Sequence, residues 1–225
     1  LYALLERLAR RTGGWRVLAR CGGRDEWPLR GVYFFQEDGE RRAQSGDGAR
    51  IVRVGTHALK VGSQTTIWKR ISQHKGVQKS GGGSHRGSIF RLLIGTALIA
   101  RDLHQCDSWG VGGSAPKDIR ARELPMERRV SETIGRMRVI CLPILDEAGP
   151  DSLRGVIERN SIALLSNFSN HNRPPIDAPS CDWLGAHCAR ERVRRSGIWN
   201  QRHVEDDYDR SFLAAFEQLV NQSGG

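Results

Sequence analysis

The 225-residue sequence lacks the features of several classes of protein. No apolar run approaches the roughly 18 uncharged residues of a membrane span, and the longest candidate, Leu92 to Ala100, is much too short. No cysteine pair has the CxxC spacing of redox or structural zinc motifs. The five scattered cysteines favour reduced thiols and a cytoplasmic location over a secreted disulfide framework. The sequence therefore predicts a protein that has no membrane partner.

Acidic residues are missing from one long stretch of the chain. Lys and Arg total 35 against 25 Asp and Glu, which gives a formal net charge of +10. Between Arg50 and Arg91 the basic residues have no acid among them, so the stretch should attract polyanions such as nucleic acid. A basic surface that only keeps the protein in solution is the alternative. The nine basic residues are Arg50, Arg53, Lys60, Lys69, Arg70, Lys75, Lys79, Arg86 and Arg91.

Three segments have the composition of β-strands. Residues 29–35 and 50–54 are apolar runs on either side of an Asp-Gly turn, and they predict a hairpin. Residues 137–145 form the best candidate for a buried strand. These segments predict a small, mostly antiparallel, three-stranded sheet.

Helices are predicted between and after the strands. Thr and Ser residues that can cap a helix precede or begin the segments 66–74, 88–100 and 152–167. A last helix is predicted over 211–220, and residues 107–120 are expected to form an exposed loop. The predicted fold class is α+β, with the small sheet flanked by helices and followed by an irregular C-terminal extension.

Two tripeptides and two later groups of polar residues occur in an informative order. Gly31-Val32-Tyr33 lies in the first predicted strand and Arg53-Val54-Gly55 ends the second. Arg70 and His74 lie one turn apart on the next helix, and Glu158 lies on the helix after the third strand. This order and spacing resemble the GIY-YIG nuclease superfamily over about residues 29–170. The resemblance implies a metal-dependent endonuclease that hydrolyses phosphodiester bonds in DNA.

The resemblance also implies a role for each of these residues. Glu158 matches the glutamate that holds a single divalent metal, Mg²⁺ or Mn²⁺, and hard oxygen ligands suit those ions. Tyr33 matches the tyrosine proposed as general base, and Arg70 matches the phosphate-binding arginine. His74 could donate to the phosphate or assist proton transfer. The alternatives are structural: a glutamate that complements a helix dipole, a core tyrosine and a solvated helix face.

Arg53 is the main departure from the family pattern, which usually has a second tyrosine at this position. The change removes a hydroxyl group and adds a cation that could assist the base or bind phosphate. His57, two residues past the second tripeptide, is a candidate for the missing donor. The asparagine that helps to orient the family's site has two candidates, Asn167 and Asn170, and Asn167 is ranked first because it follows the predicted helix.

Three interpretations of the function follow. The first is the DNA endonuclease, and the second is a catalytically weak or inactive nucleic-acid-binding module, suspected because of Arg53. The third acts on RNA instead of DNA. The residues expected to contact nucleic acid are Lys60, Lys69, Lys75, Lys79 and Arg86.

The resemblance also suggests a division of the chain. Residues 1–28 would form an N-terminal helical arm and residues 29–170 the nuclease domain. Residues 171–225 would form a C-terminal extension packed on the core, because Trp183 and Trp199 are more typical of anchors than of base-stacking groups.

Overall fold

The computed structural model describes residues 1–77, 79–168 and 176–224. No helix within these ranges is both long enough and apolar enough to cross a membrane. The elements in chain order are α1 (Tyr2–Arg11), β1 (Arg16–Val17), β2 (Gly31–Arg41), β3 (Ala49–Gly55), α2 (Ile67–Lys75), α3 (Ile89–Asp102), α4 (Lys117–Arg136), β4 (Arg138–Pro143), α5 (Leu153–Leu165), α6 (Glu191–Ser196) and α7 (Phe212–Gln222).

The α+β class is confirmed, with a sheet of four antiparallel strands in the order β1-β4-β2-β3. The prediction of three strands is wrong by one. The missed strand, β1, has only two residues, too few to show a period-2 pattern. β2 and β3 form the expected hairpin, in which Tyr33 pairs with Gly55 and Phe35 with Arg53.

The two faces of the sheet bury different sets of side chains, because successive residues of a strand point to opposite sides. Val32 and Phe34 point to one face, where α1, α5 and α7 cover an apolar core. Tyr33 and Phe35 point to the other face and pack against residues of α2, α3 and α4. Tyr33 and Phe35 meet edge to face, with 5.7 Å between ring centroids. Tyr33 therefore lies on the face that α2, α3 and α4 cover.

The predicted helix starts are confirmed by their caps. The side chains of Thr66, Ser88 and Ser152 accept hydrogen bonds from backbone N–H groups three residues later, at the starts of α2, α3 and α5. Each of these bonds satisfies a donor that the first turn of a helix leaves unpaired.

Helix α4 was not predicted, and its first residues lie in the segment expected to be a loop. It contains Pro125, which normally interrupts a helix. Its buried side also includes two acids, Glu123 and Glu127, so its apolar stripe is hard to recognise. The helix is stabilised by tertiary contacts that the local sequence does not reveal.

The C-terminal segment contributes to the core and to the edge of the sheet. Trp183 and Trp199 are buried, with 5.2 Å between their ring centroids. The backbone N–H of Trp199 donates to the Val52 carbonyl of β3 at 2.6 Å. The side-chain amide of Asn200 accepts from the Val54 N–H and donates to the Val54 carbonyl. Residues 199–200 therefore cover the outer edge of β3. The division of the chain at residues 28 and 170 stays a prediction.

Candidate active site

The residues of the two tripeptides meet the later polar residues in one cavity. The cavity has a volume of about 450 Å³ and is lined by Tyr33, Arg53, Arg70 and Glu158. A four-residue run from the C-terminal part of the chain, residues 200–203, lines it as well. The side chains come from β2, β3, α2 and α5, which lie far apart in sequence, so the fold itself assembles the site.

A larger groove, of about 720 Å³, lies beside β1 and β4. It is lined by the Gly13-Gly14 turn, Arg16 and Trp27, and Glu26 is the only acid among the described residues that line it. It contains none of the predicted site residues. We therefore place the candidate active site in the smaller cavity, where a carboxylate, two arginines and a tyrosine meet.

The position of Tyr33 depends on the glycine of the second tripeptide. Tyr33 is 1% exposed, and its ring lies across Gly55, where an added Cβ would come within 2.4 Å of the tyrosine hydroxyl oxygen. Gly31 is equally constrained, because a Cβ there would lie 2.2 Å from the Leu142 carbonyl oxygen. Each tripeptide glycine therefore permits a close approach that any other residue would prevent.

His74 lies behind Tyr33 and outside the cavity lining. Its Nε2 is 2.9 Å from the Tyr33 hydroxyl oxygen, and its Nδ1 is 2.7 Å from Ser88 Oγ. Burial, reinforced by Arg53 and other nearby arginines, lowers the pKa of His74 well below its usual value. The ring is therefore neutral near pH 7, with one donor and one acceptor nitrogen. It contacts the tyrosine, and no phosphate in the cavity could reach it directly.

Arg53 is buried beside Tyr33. Its Nη1 donates to the Trp199 carbonyl, and its guanidinium lies 4.5 Å from the Phe90 ring centroid. Burial lowers the pKa of Arg53, although Tyr33 and Glu158 oppose that shift. Within the described chain its Nε has no hydrogen-bond partner and it forms no ion pair. A cation held in this way can interact with an anion that enters the cavity.

Among the residues that the structure describes, Glu158 is the one acidic side chain that lines this cavity. Its Oε1 accepts a hydrogen bond from the Thr56 N–H at 3.0 Å. Burial raises the pKa of Glu158, while Arg53, the Thr56 N–H, His203 and Arg70 act in the opposite direction. Burial of a carboxylate without a direct cationic partner is unfavourable unless a ligand compensates its charge.

The donor set fits a hard divalent cation better than zinc. No group of three or more His, Cys, Asp and Glu side chains that could enclose a metal is present in the described ranges. Glu158 offers Oε2, which makes no hydrogen bond with another described residue. Mg²⁺ and Mn²⁺ suit such a site, because they accept one carboxylate and complete their shell with water and phosphate oxygens.

Arg70 lies on α2 at the rim of the cavity and is half-buried. Its Nη1 donates to Gln73 Oε1 at 2.9 Å and to the Gly87 carbonyl at 3.3 Å. Arg70 and Arg53 therefore bring two permanent positive charges to the cavity that holds Glu158. An incoming phosphate would meet both of them.

The other predicted site residues lie outside this cavity. His57 is buried, neither of its ring nitrogens makes a hydrogen bond of good geometry with a described residue, and burial lowers its pKa to about 4. Asn167 lies just after α5, where its N–H donates to the Ser196 carbonyl. Asn170 lies outside the described residues. Asn200 lines the cavity instead.

The basic residues near the site divide into two groups. Lys60, Lys69 and Lys79 are exposed to solvent. Lys75 donates through Nζ to the carbonyls of Ala19 and Cys21. Arg86 forms a bidentate ion pair with Glu123, at 2.6 and 2.8 Å. Only the first group therefore has its charge fully available to a nucleic acid.

Residues 200–203 were missed because nothing in their local sequence marks them. Asn200, Gln201, Arg202 and His203 follow Trp199, and the burial of that tryptophan places them beside Glu158. The signal available in the sequence was an aromatic anchor followed by four consecutive polar residues.

Comparison with known proteins gives one result that agrees with this geometry. The family model of the GIY-YIG domain matches residues 1–224. The match includes both tripeptides, Glu158 and residues 200–203. No curated protein and no solved structure matches the chain significantly.

Proposed function

The chain belongs to the GIY-YIG family, whose members are nucleases, and from this premise we propose that it is a divalent-metal-dependent endonuclease that hydrolyses phosphodiester bonds in DNA. The observation that carries the proposal is the meeting of Tyr33, Arg53, Arg70 and Glu158 in one cavity. The exposed lysines Lys60, Lys69 and Lys79 would bind the backbone phosphates beyond it.

Glu158 is the proposed metal ligand. A Mg²⁺ or Mn²⁺ ion would supply Lewis-acid stabilisation of negative charge on the phosphate. The side chain is half-buried but desolvated enough to raise the pKa of its carboxyl group, it lacks a direct ion pair in the described chain, and it keeps Oε2 available. These three properties support its role as a ligand more than a role in complementing the dipole of α5.

Tyr33 is the proposed general base, and His74 is its partner. A tyrosine hydroxyl is a weak base, so its own proton needs an acceptor. The neutral Nε2 of His74 lies 2.9 Å away. A bound phosphate would offset the charge of the arginines that help to lower the pKa of His74 in the free protein, so Tyr33 can then pass its proton to that nitrogen as it takes one from the attacking water. In this role His74 acts through Tyr33 and not on the phosphate.

Arg53 and Arg70 are proposed to stabilise the charge that develops on the phosphate. Guanidinium groups stay charged at all physiological pH values and offer several donors in a fixed plane. Both arginines line the cavity, and neither is neutralised by a direct ion pair with Glu158. Such donors, already in place before the reaction, are among the largest contributors to catalysis.

A plasmid assay tests the proposal. The full chain would be incubated with supercoiled plasmid in Mg²⁺, in Mn²⁺ or in EDTA, beside a Glu158→Gln variant. We expect nicking that needs the metal and that falls by about 10³-fold or more in the variant, because the metal contributes several kcal/mol. Glu147→Gln, an identical change at an exposed position, is the matched control and should cut normally. Cutting by Glu158→Gln at the normal rate would disprove the metal assignment.

The substitution of Arg53 for the usual tyrosine favours one competing function, a binding module that no longer cuts. That function predicts a plasmid shift in a gel without nicking in any metal. A labelled RNA of the same sequence, run in parallel, separates the two nucleic acids as substrates. We expect cleavage of DNA, the substrate that the family resemblance implies.

A further inference from the structure

His203 is the least expected residue of the cavity. It lies 45 residues past Glu158 in sequence, yet it lines the same cavity and is close enough to oppose the raised pKa of that glutamate. Its backbone has φ of 62°, a left-handed conformation that is uncommon for a residue with a side chain. Backbone of this kind persists where the surrounding structure fixes it, which is frequent at functional sites.

The contact with Asp206 determines which nitrogen of His203 is available. Nδ1 lies 2.8 Å from Asp206 Oδ2. An ionised carboxylate only accepts hydrogen bonds, so Nδ1 carries the hydrogen of this contact. Nε2 makes no hydrogen bond with any described residue, and the side chain is 36% exposed. The ring is thus held on one side and accessible on the other.

The hydrolysis proposed above is helped by a proton donor to the leaving oxygen, and the polar side chains nearest the phosphate site in the described cavity are poorly suited to that role. When the bond from phosphorus to the leaving oxygen breaks, that oxygen must gain a proton to become a hydroxyl group. Arg53 and Arg70 do not release protons, and both sides of the Asn200 amide are bonded to Val54. The Tyr33 hydroxyl is engaged with His74 on the base side.

We propose that His203 is the general acid of the reaction, a role that rests on the proposed endonuclease function. The water oxygen forms a bond to phosphorus, and the water proton goes to Tyr33, whose own proton passes to Nε2 of His74 and later returns to solvent. The bond from phosphorus to the leaving oxygen breaks, and its electron pair stays on that oxygen. His203 acts in its protonated form, in which both ring nitrogens carry hydrogen: the Nε2 proton transfers to the oxygen, the ring becomes neutral with its hydrogen on Nδ1, and solvent then returns a proton to Nε2. Asp206 is the positioning residue that orients the imidazole.

A sulfur-substituted substrate separates this role from a structural one. The cut position and the strand end that keeps the phosphate would first be mapped on plasmid DNA, and a duplex of that sequence would then be made with oxygen or with sulfur as the bridging atom that leaves. A thiolate leaves without protonation, so it removes the need for a general acid. We expect His203→Ala to cut the oxygen substrate about 10²–10³-fold more slowly and the sulfur substrate within about threefold of the unaltered protein.

Three variants act as controls. His104→Ala removes an exposed imidazole outside the cavity and should cut both substrates normally. Glu158→Gln should be slow on both, because sulfur does not replace a metal ligand. Asp206→Asn should show the same preference for sulfur as His203→Ala, with a smaller loss on oxygen. Thermal melting of each variant checks that it folds.

Two results would overturn the assignment. His203→Ala could cut the oxygen substrate at the normal rate, or it could be slowed equally on oxygen and sulfur. In either case the unaltered protein still cuts, so the endonuclease function stands without this general acid. If the unaltered protein binds DNA and cuts neither substrate, the endonuclease function fails and the role of His203 fails with it.

Discussion

Two clusters of buried charge lie close together in the molecule, and they differ in how their arginines are compensated. The α4 cluster consists of Arg86 and Arg91 with Glu123, Glu127 and His85. The cavity cluster consists of Tyr33, Arg53, Arg70, His74 and Glu158. Both contain arginines from the acid-free stretch of the sequence. Only in the α4 cluster does each arginine contact a carboxylate.

In the α4 cluster each arginine is paired with a carboxylate, although burial still lowers the pKa of Arg91. Arg91 is fully buried, and its Nε donates to Glu127 Oε2 at 2.9 Å while its Nη1 donates to the His74 carbonyl. Burial alone would raise the pKa of Glu127, but hydrogen bonds from His85 and the charge of Arg91 hold it below its usual value. Each charge thus has partners within the protein, which is the arrangement that a structural ion pair needs.

In the described part of the chain, the cavity cluster lacks such pairs between arginine and carboxylate. Arg53 is almost fully buried, yet its direct partners are the Trp199 carbonyl, the Phe90 ring and the Tyr33 hydroxyl, none of which is a carboxylate. Burial raises the pKa of Glu158, which shows that the nearby arginines do not fully compensate its charge. The comparison teaches that the basic stretch supplies two things. The arginines opposite α4 stabilise the fold, and those in the cavity remain available to a ligand.

The largest expected effect is on stability, from removing the charge of Glu127. In Glu127→Gln the buried Arg91 loses its carboxylate, and breaking such a pair costs about 3–5 kcal/mol. Urea unfolding monitored by circular dichroism measures the loss. Glu132→Gln, an exposed position on the same helix, should change the free energy of unfolding by less than about 0.5 kcal/mol. A loss for Glu127→Gln no greater than that of Glu132→Gln would contradict the distinction between the clusters.

The second effect is on cleavage, from Arg53→Met. Replacing a buried arginine that has no ion pair by an apolar side chain should leave the free energy of unfolding within about 1 kcal/mol of its original value. The cleavage rate should fall by about 10²–10³-fold, the typical cost of one donor that stabilises transition-state charge.

Arg53→Lys tests the geometry of that donor. It keeps the positive charge but not the planar fork, so we expect an intermediate cleavage rate. Unfolding curves and single-turnover cleavage would be measured on the same preparations. If Arg53→Met were destabilised as strongly as Glu127→Gln, Arg53 would belong with the structural arginines.

Features set by local sequence could be predicted. These features depend on neighbouring residues, and the structure contains them: the β2–β3 hairpin that carries the two tripeptides, and the helix caps at Thr66, Ser88 and Ser152. The opposite orientations of Tyr33 and Phe34 followed from strand geometry alone. The tripeptides, Arg70 and Glu158 therefore met in one cavity as the family pattern implied.

Features set by distant partners could not be predicted. Helix α4 has buried acids where an amphipathic pattern needs apolar residues, and those acids are favourable only because arginines of an earlier segment meet them. The i to i+4 spacing placed Arg70 and His74 on one side of α2 but could not show that His74 is buried with Ile67 and Ile71. Residues 200–203 reach the cavity through the packing of Trp199, a contact without a local signature.

The smallest expected effect is the pH dependence of stability, and it separates the two clusters by pH window. His57, beside the cavity cluster, has a pKa of about 4 when folded against 6.5 in its ordinary state. Between these values the unfolded chain binds a proton that the folded chain does not, so stability falls as the pH is lowered through this window. His74 contributes in the same direction because its pKa is also lowered.

The two glutamates behave differently from the histidines. Glu158, with a raised pKa, opposes the histidines in the lower part of the window. Glu127, with a lowered pKa, loses its contribution only below the usual carboxyl value of 4.5.

The difference between the melting temperatures at about pH 7 and about pH 5 therefore reports on the protonation of the histidines, while Glu127 stays ionised at both pH values. We expect the unaltered protein to melt at a lower temperature at the lower pH. His57→Gln, which cannot take up the proton, should lose less stability over the same interval. Glu127→Gln should melt lower at both pH values but keep the original difference between them. An equal pH response in all three proteins would mean that His57 is solvated and that the charge around the cavity is compensated as fully as that of α4.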